Sequence, residues 1–66
     1  MAANGFIMKY KIGSIIIAND MSFGIIKNNK NNYVTVKWHR PERIWYIIYK
    51  FDELKCFNWE FYENKT

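Results

Sequence analysis

The clearest hydrophobic pattern in the chain is a strict alternation over residues 33–39. Val34, Val36 and Trp38 are separated from one another by polar or charged residues. Successive side chains of a β-strand point to opposite faces, so this period of two predicts a half-buried strand whose three apolar residues face the core. We expect it to be the central strand of the fold.

Four other segments have strand-like patterns. The first contains period-two alternation followed by a β-branched run, with Gly13 predicted to bend one long strand. The last carries Phe57 on the same parity as two further aromatic residues. The four segments predicted as strands are residues 6–18, 23–27, 44–50 and 55–62.

The connections follow from residue types that favour turns. Residues 28–32 are polar and rich in asparagine, which tolerates left-handed backbone angles, and are predicted to form a hairpin loop. Residues 39–43 contain Pro41, which cannot donate to a strand ladder, and are predicted to form the next turn. Residues 51–54 are predicted to form one helical turn. No stretch of ten or more residues keeps helical periodicity, so the chain is predicted to be all-β with about five strands.

Four short motifs follow one another along the chain. They are Lys11-Ile12-Gly13-Ser14, Phe23-Gly24-Ile25-Ile26, Val34-Thr35-Val36-Lys37-Trp38 and Tyr49-Lys50-Phe51-Asp52-Glu53-Leu54-Lys55. This order resembles the SH3-like small barrels, which include Tudor and KOW-type modules and small phage proteins. The resemblance covers about residues 10–57. It implies a single domain over residues 1–66, a five-stranded SH3-like barrel with one short helical turn before the last strand and extensions at both ends.

Composition limits how the fold is held together. The chain has 66 residues, of which half are hydrophobic and a fifth aromatic, so a dense core must stabilise a small domain. One cysteine and one histidine exclude an internal disulfide and fall short of a structural zinc set. We therefore expect no metal and no cofactor, and we predict that Cys56 is a buried small hydrophobe.

Residue usage also bears on origin and location. Ten isoleucines, eight lysines and eight asparagines have AT-rich codons, which suggests a phage or a small-genome bacterium. The first five residues lack the features of a signal peptide, and no apolar run is long enough to span a membrane. We expect a cytoplasmic location, either in a host cell or in a virion, and no membrane partner.

The fourth predicted strand carries apolar residues on both parities. If Trp45 and Ile47 point inward with Tyr49, the alternation turns three large apolar side chains outward, and an exposed patch of that kind usually marks an interface. The three are Ile44, Tyr46 and Ile48. Either an end of this chain or another molecule is expected to cover them.

The aromatic C-terminal segment has two interpretations. It packs on the core, which we favour, or it projects as a docking arm or edge strand. Its residues are included in the predicted protein-binding set, which is Ile44, Tyr46, Ile48, Trp59, Phe61 and Tyr62.

The alternative partner is nucleic acid. The net charge of +4 permits binding to phosphates, and exposed tyrosines can stack on bases. The residues predicted for this surface are Tyr33, Lys37, His39, Arg40 and Arg43. Scattered lysines on a solvated face are the simpler interpretation of the charge.

Catalysis has little support in the sequence. No nucleophile has an evident base and orienting acid, and the carboxylates form no spaced pair beyond Asp52 and Glu53. We expect a non-enzymatic binding module with no small-molecule substrate. It is predicted to act through protein–protein contacts or homo-oligomerisation, as a virion cement or adaptor component or an inhibitor of a host protein.

Overall fold

Five strands and one short helix follow one another in the computed structural model, which describes residues 10–65. The helix precedes the last strand. The elements are β1 (Ile15–Ile17), β2 (Phe23–Lys30), β3 (Tyr33–Arg40), β4 (Arg43–Lys50), α1 (Phe51–Cys56) and β5 (Glu60–Tyr62). The predicted all-β class, the five strands and the position of the short helix are confirmed.

The strands form one antiparallel sheet in the order β4-β3-β2-β1-β5. The sheet is unclosed, so the barrel closure and the SH3-like class remain predictions. β3 has the predicted alternation and lies inside the sheet between β2 and β4. The middle strand is β2 and not β3, because the short strand β1 and then β5 add to the other side of β2.

The two long hairpins turn more tightly than the sequence pattern predicts. β2 continues through Lys30, and the turn is limited to Asn31 and Asn32, both with positive φ. A two-residue hairpin turn needs this left-handed geometry, so the prediction of a loop over residues 28–32 was wrong. The next turn is likewise limited to Pro41 and Glu42, because Arg40 and Arg43 already pair across the strands.

The first predicted strand is much shorter than expected. Residues 6–9 of that prediction lie outside the described residues, and residues 11–14 form a turn rather than a strand. The backbone N–H of Ser14 donates to the Lys11 carbonyl at 3.0 Å, and Gly13 has a φ of 92° that side chains rarely adopt. Gly13 therefore belongs to a turn and not to a bent strand, and β1 begins only at Ile15.

The last predicted strand also begins later than expected. The helix continues to Cys56 and includes Lys55, so only Glu60–Tyr62 pairs with β1. The backbone N–H of Lys50 donates to the Glu53 carboxylate at 2.9 Å, which stabilises the start of α1. Cys56 is exposed, so the prediction that it is buried was wrong. The helix buries Phe51 and Leu54 and leaves its last residue in solvent.

The core lies against one face of the sheet. It consists of eight buried apolar or aromatic side chains, with Trp45, Tyr49, Trp59 and Phe61 packed around them. The eight are Tyr10, Ile16, Ile26, Val34, Val36, Trp38, Phe51 and Leu54. Val34, Val36 and Trp38 are all buried, as the alternation in β3 predicts. Across residues 10–65, no helix has the length and apolar character needed to cross a bilayer.

Candidate protein-binding face

The register of the sheet divides its side chains between two faces. Residues paired across antiparallel strands share a face, and the two faces alternate along each strand. The inner face packs on the core and includes Val36 and its partners Ile26 and Ile47. The opposite face, called the outer face here, contains the odd-numbered residues of β3 and the even-numbered residues of β4.

Two rows of residues on the outer face, each formed by residues paired from strand to strand, are largely apolar. One row passes from Ile17 through Phe23 and His39 to Ile44. The other begins at Tyr62 and ends at Tyr46, with Ile15, Ile25 and Lys37 between them. At about 4.8 Å per strand, the second row spans roughly 19 Å.

The predicted outward direction of Ile44, Tyr46 and Ile48 is confirmed. Their exposed fractions are 57%, 59% and 65%. Of the expected covers, the C-terminal segment is excluded, because β5 pairs with β1 at the far edge of the sheet. The other end of the chain, residues 1–9, lies outside the described residues. Cover by a partner molecule stays a prediction.

The C-terminal residues of the predicted protein-binding set do not share one surface. Tyr62 lies on the outer face and is 56% exposed. Trp59 and Phe61 are only partly exposed and pack against the core. Trp59 meets the Trp38 ring edge-on at 5.3 Å, and Phe61 meets Tyr10 in the same way at 5.2 Å. The expectation that this segment packs on the core holds for these two residues, which leaves them little area for a partner.

The residues predicted to bind nucleic acid also divide between the two faces. Tyr33, Lys37 and His39 lie on the outer face, and the Lys37 amine lies 5.9 Å from the centre of the Tyr46 ring. Arg40 and Arg43 alternate onto the inner side of the same hairpin. We predicted that these five residues form one surface because they are close along the chain, but strand alternation separates them.

Both arginines have partners on the inner side. The Arg43 guanidinium lies over the Trp45 ring, 4.3 Å from its centre. Arg40 is 3.4 Å from the carboxylate of Asp20 and 3.7 Å from that of Glu42. The pKa of Asp20 is lowered, mainly by hydrogen bonds from Ser22 and to a lesser extent by the Arg40 charge. The contact between Arg40 and Asp20 links the end of the hairpin to the loop before β2.

Four further residues of the outer face were not among the predicted site residues. Ile15, Ile17, Phe23 and Ile25 are partly exposed, and they join the patch on β4 to Tyr62. The sequence holds a signal for them: Gly24 and Ile26 alternate with Phe23 and Ile25 on opposite faces. The signal could not be interpreted without the register, because both parities of β2 are apolar.

The inner face has a separate small groove. Its aromatic walls are Trp38, Trp45, Tyr49 and Trp59, and its volume is about 140 Å³. The Tyr49 hydroxyl accepts a hydrogen bond from the Trp38 indole N–H at 3.0 Å. Burial raises the pKa of Tyr49. The groove is therefore lined by the core residue Trp38 and by three aromatic residues packed against the core.

Metal-binding clusters do not appear in the part of the chain that the structure describes. Residues 10–65 contain no group of three histidine, cysteine or acidic side chains placed to hold a metal ion. The outer face instead combines apolar area with isolated cations.

Comparison with known proteins found no matching protein family, curated protein or solved structure.

Proposed function

We propose that the chain is a non-enzymatic binding module whose outer face docks on another protein. The observation that supports this most directly is the exposed apolar surface of β4, where three large side chains lie together on one face. Contiguous apolar surface of this kind usually marks an interaction site, because leaving it in water forgoes a favourable burial.

Charge on the same face indicates the chemistry of the partner. Lys37 lies among apolar residues, and Lys30 and Lys50 flank Tyr33 at one end. Among the strand residues of this face in the described chain, Glu60 is the only carboxylate, and it lies at the far edge. A complementary partner surface has apolar side chains at its centre and carboxylates opposite the lysines. The phage-like residue usage makes virion proteins and host proteins the classes to screen first.

Two lysine substitutions test the outer face. We expect Tyr46→Lys with Ile48→Lys to weaken binding to a purified partner by about a hundredfold, because both side chains leave an apolar contact and add charge. The partner is first captured from a nuclease-treated lysate, and binding is then measured by titration calorimetry. Circular dichroism should show a folded variant, since both positions are exposed in the free chain.

A matched control is provided by two exposed apolar residues outside the strands. Ile12 and Met21 are 58% and 78% exposed, so Ile12→Lys with Met21→Lys makes the same change in charge at similar exposure. This control should bind as the unchanged chain does. If the test variant binds as tightly as the unchanged chain, or if the control loses as much affinity as the test variant, the outer face is excluded as the docking site.

Single-stranded nucleic acid is a second candidate ligand for the same face. The supporting observation is a cross-strand row in which Tyr33, 47% exposed, lies between Lys30 and Lys50. An exposed ring flanked by two amines can stack on a base while the amines contact phosphates.

Salt dependence separates the two candidates. If the face binds a single strand, Kd should rise steeply with salt, and Tyr33→Ala should weaken binding about tenfold through the lost stacking. Fluorescence anisotropy with a labelled oligonucleotide measures both effects. Arg40→Ala, on the inner side, serves as the comparison and should have a smaller effect. The absence of salt-dependent binding would leave protein docking as the function of this face.

A further inference from the structure

Strand β4 is an edge of the sheet. It lies at one end of the strand order, and among residues 10–65 its only strand partner is β3. It is eight residues long, contains no proline, and has no bulge in its pairing with β3. A long, regular edge with apolar side chains is a template for pairing with another strand.

The hydrogen bonds at the two ends of β4 determine which of its residues direct their N–H and C=O groups to the open edge. Arg40 and Arg43 pair across a two-residue turn, and in a turn of this kind the carbonyl before the turn accepts from the N–H after it. At the other end, the Phe51 N–H donates to the Asn32 carbonyl at 2.8 Å. Because alternate residues of an antiparallel strand bond to the same neighbour, the odd-numbered residues bond to β3. The residues that direct N–H and C=O groups to the open edge are Ile44, Tyr46, Ile48 and Lys50.

We propose that β4 pairs with β4 of a second copy of this chain, antiparallel and with Tyr46 facing Tyr46 of the second copy. A twofold axis through this pair, perpendicular to the sheet, gives a closed symmetric dimer. The groups that point to the open edge then bond to their counterparts. The two five-stranded sheets become one continuous sheet of ten strands.

Apolar side chains match on both faces in this register. On the outer face, Ile44 meets Ile48 of the second copy on either side of the tyrosine pair. On the inner face, Trp45 meets Ile47, which is 37% exposed in the single chain. The register must also keep residues of the same face together, which excludes every arrangement offset by one residue.

Charge complementarity selects this register among the remaining ones. With Tyr46 on the axis, Glu42, in the turn directly before β4, lies level with Lys50 of the second copy at both ends of the interface. With Ile47 on the axis, Lys50 faces Ile44 instead. With Trp45 on the axis, Lys50 lies beyond Arg43, where β4 begins, and faces no residue of that strand. Opposite charges across paired strands stabilise the pairing, and like charges oppose it.

The dimer goes beyond the proposed docking function, although both proposals use Ile44, Tyr46 and Ile48. It uses the backbone edge of β4, and it places the two outer faces side by side on one sheet. A dimer that forms without binding any foreign protein leaves the docking proposal open, and a monomer that still binds a partner refutes only the dimer.

Charge reversal at the ends of the interface tests the register. Sedimentation equilibrium of the unchanged chain should show a dimer at concentrations up to about 1 mM. Glu42→Lys alone and Lys50→Glu alone should each raise the dimer Kd about tenfold, because each places like charges at both ends. The double variant should return Kd to near its original value. Circular dichroism checks that each variant is folded.

Cysteine cross-linking tests the same register directly, in a Cys56→Ser background that removes the exposed native thiol. Facing residues in a hydrogen-bonded pair lie about 5.5 Å apart at Cα, within the range of a disulfide. Tyr46→Cys protein should therefore oxidise to a covalent dimer. Ile44→Cys protein should not, because its two thiols would lie about 13 Å apart along the strands.

A mixture provides the internal control. Ile44→Cys and Ile48→Cys proteins should cross-link to each other when mixed and oxidised, although neither cross-links to itself. A monomer at about 1 mM, or equal cross-linking of Ile44→Cys and Tyr46→Cys proteins alone, would overturn the proposal.

Discussion

Trp38→Ala is expected to lower the free energy of unfolding by about 3–5 kcal/mol, the usual cost of removing a buried large ring. The indole is 2% exposed and stacks near Trp45 at 6.5 Å. It also meets Trp59 edge-on and donates to the Tyr49 hydroxyl. One substitution therefore removes contacts that β3 makes with β4 and with Trp59 of the C-terminal segment.

The expected loss is large for a domain of this size. At about 0.05–0.15 kcal/mol per residue, a chain of 66 residues has roughly 3–10 kcal/mol of stability in total. Urea unfolding followed by circular dichroism measures the change. Trp45→Ala is the matched control, because it removes the same ring from a partly exposed site and should cost clearly less. Equal losses for the two variants would contradict the central role of Trp38.

The long hairpins were predictable from the sequence because their information is local. The alternation in β3 identifies Val34, Val36 and Trp38 as core residues, and all three are buried. The ends of elements were harder to predict. Asn31 and Asn32 form a two-residue turn that cannot be distinguished from a longer polar loop by composition alone.

The short strands could not be predicted with correct bounds. β1 has only three residues and is set by pairing with β2, which follows it closely, and with β5, the last strand of the described chain. Gly13 is compatible with a bend within a strand and with a turn, and its φ of 92° decides for the turn. Pairing between segments therefore sets the strand bounds that the local pattern does not determine.

The candidate site was predicted in part. The outward direction of Ile44, Tyr46 and Ile48 follows from the period of β4, and the structure confirms it. The position of β5 depends on strand order, which local pattern does not encode. For that reason Trp59 and Phe61 were predicted as binding residues although they pack on the core.

Gly24→Val is expected to destabilise the fold by at least about 3 kcal/mol, at or above the upper end of the usual cost of overpacking. Gly24 lies in the middle strand and pairs with Ile16 on one side and Trp38 on the other. A Cβ atom there would lie 2.7 Å from Val36 Cγ1 and 2.9 Å from Trp38 Cε3 and Cζ3. The tryptophan ring occupies the space that a side chain would need.

A double-mutant cycle shows whether this contact is the cause. Gly24→Ala should cost about 1–3 kcal/mol on its own. In combination with Val36→Ala, which removes the nearest atom, it should cost at least about 1 kcal/mol less than the sum of the single changes. Thr35→Val, at a partly exposed position of the neighbouring strand, is the control for adding valine and should be nearly neutral.

Additive losses in the cycle would show that Gly24→Ala does not act through the contact with Val36. Glycine within a strand is ordinarily unfavourable because it loses more conformational entropy than other residues. Here the absent side chain lets the Trp38 ring lie directly on the β2 backbone, so the same glycine stabilises the core that holds the outer face in place.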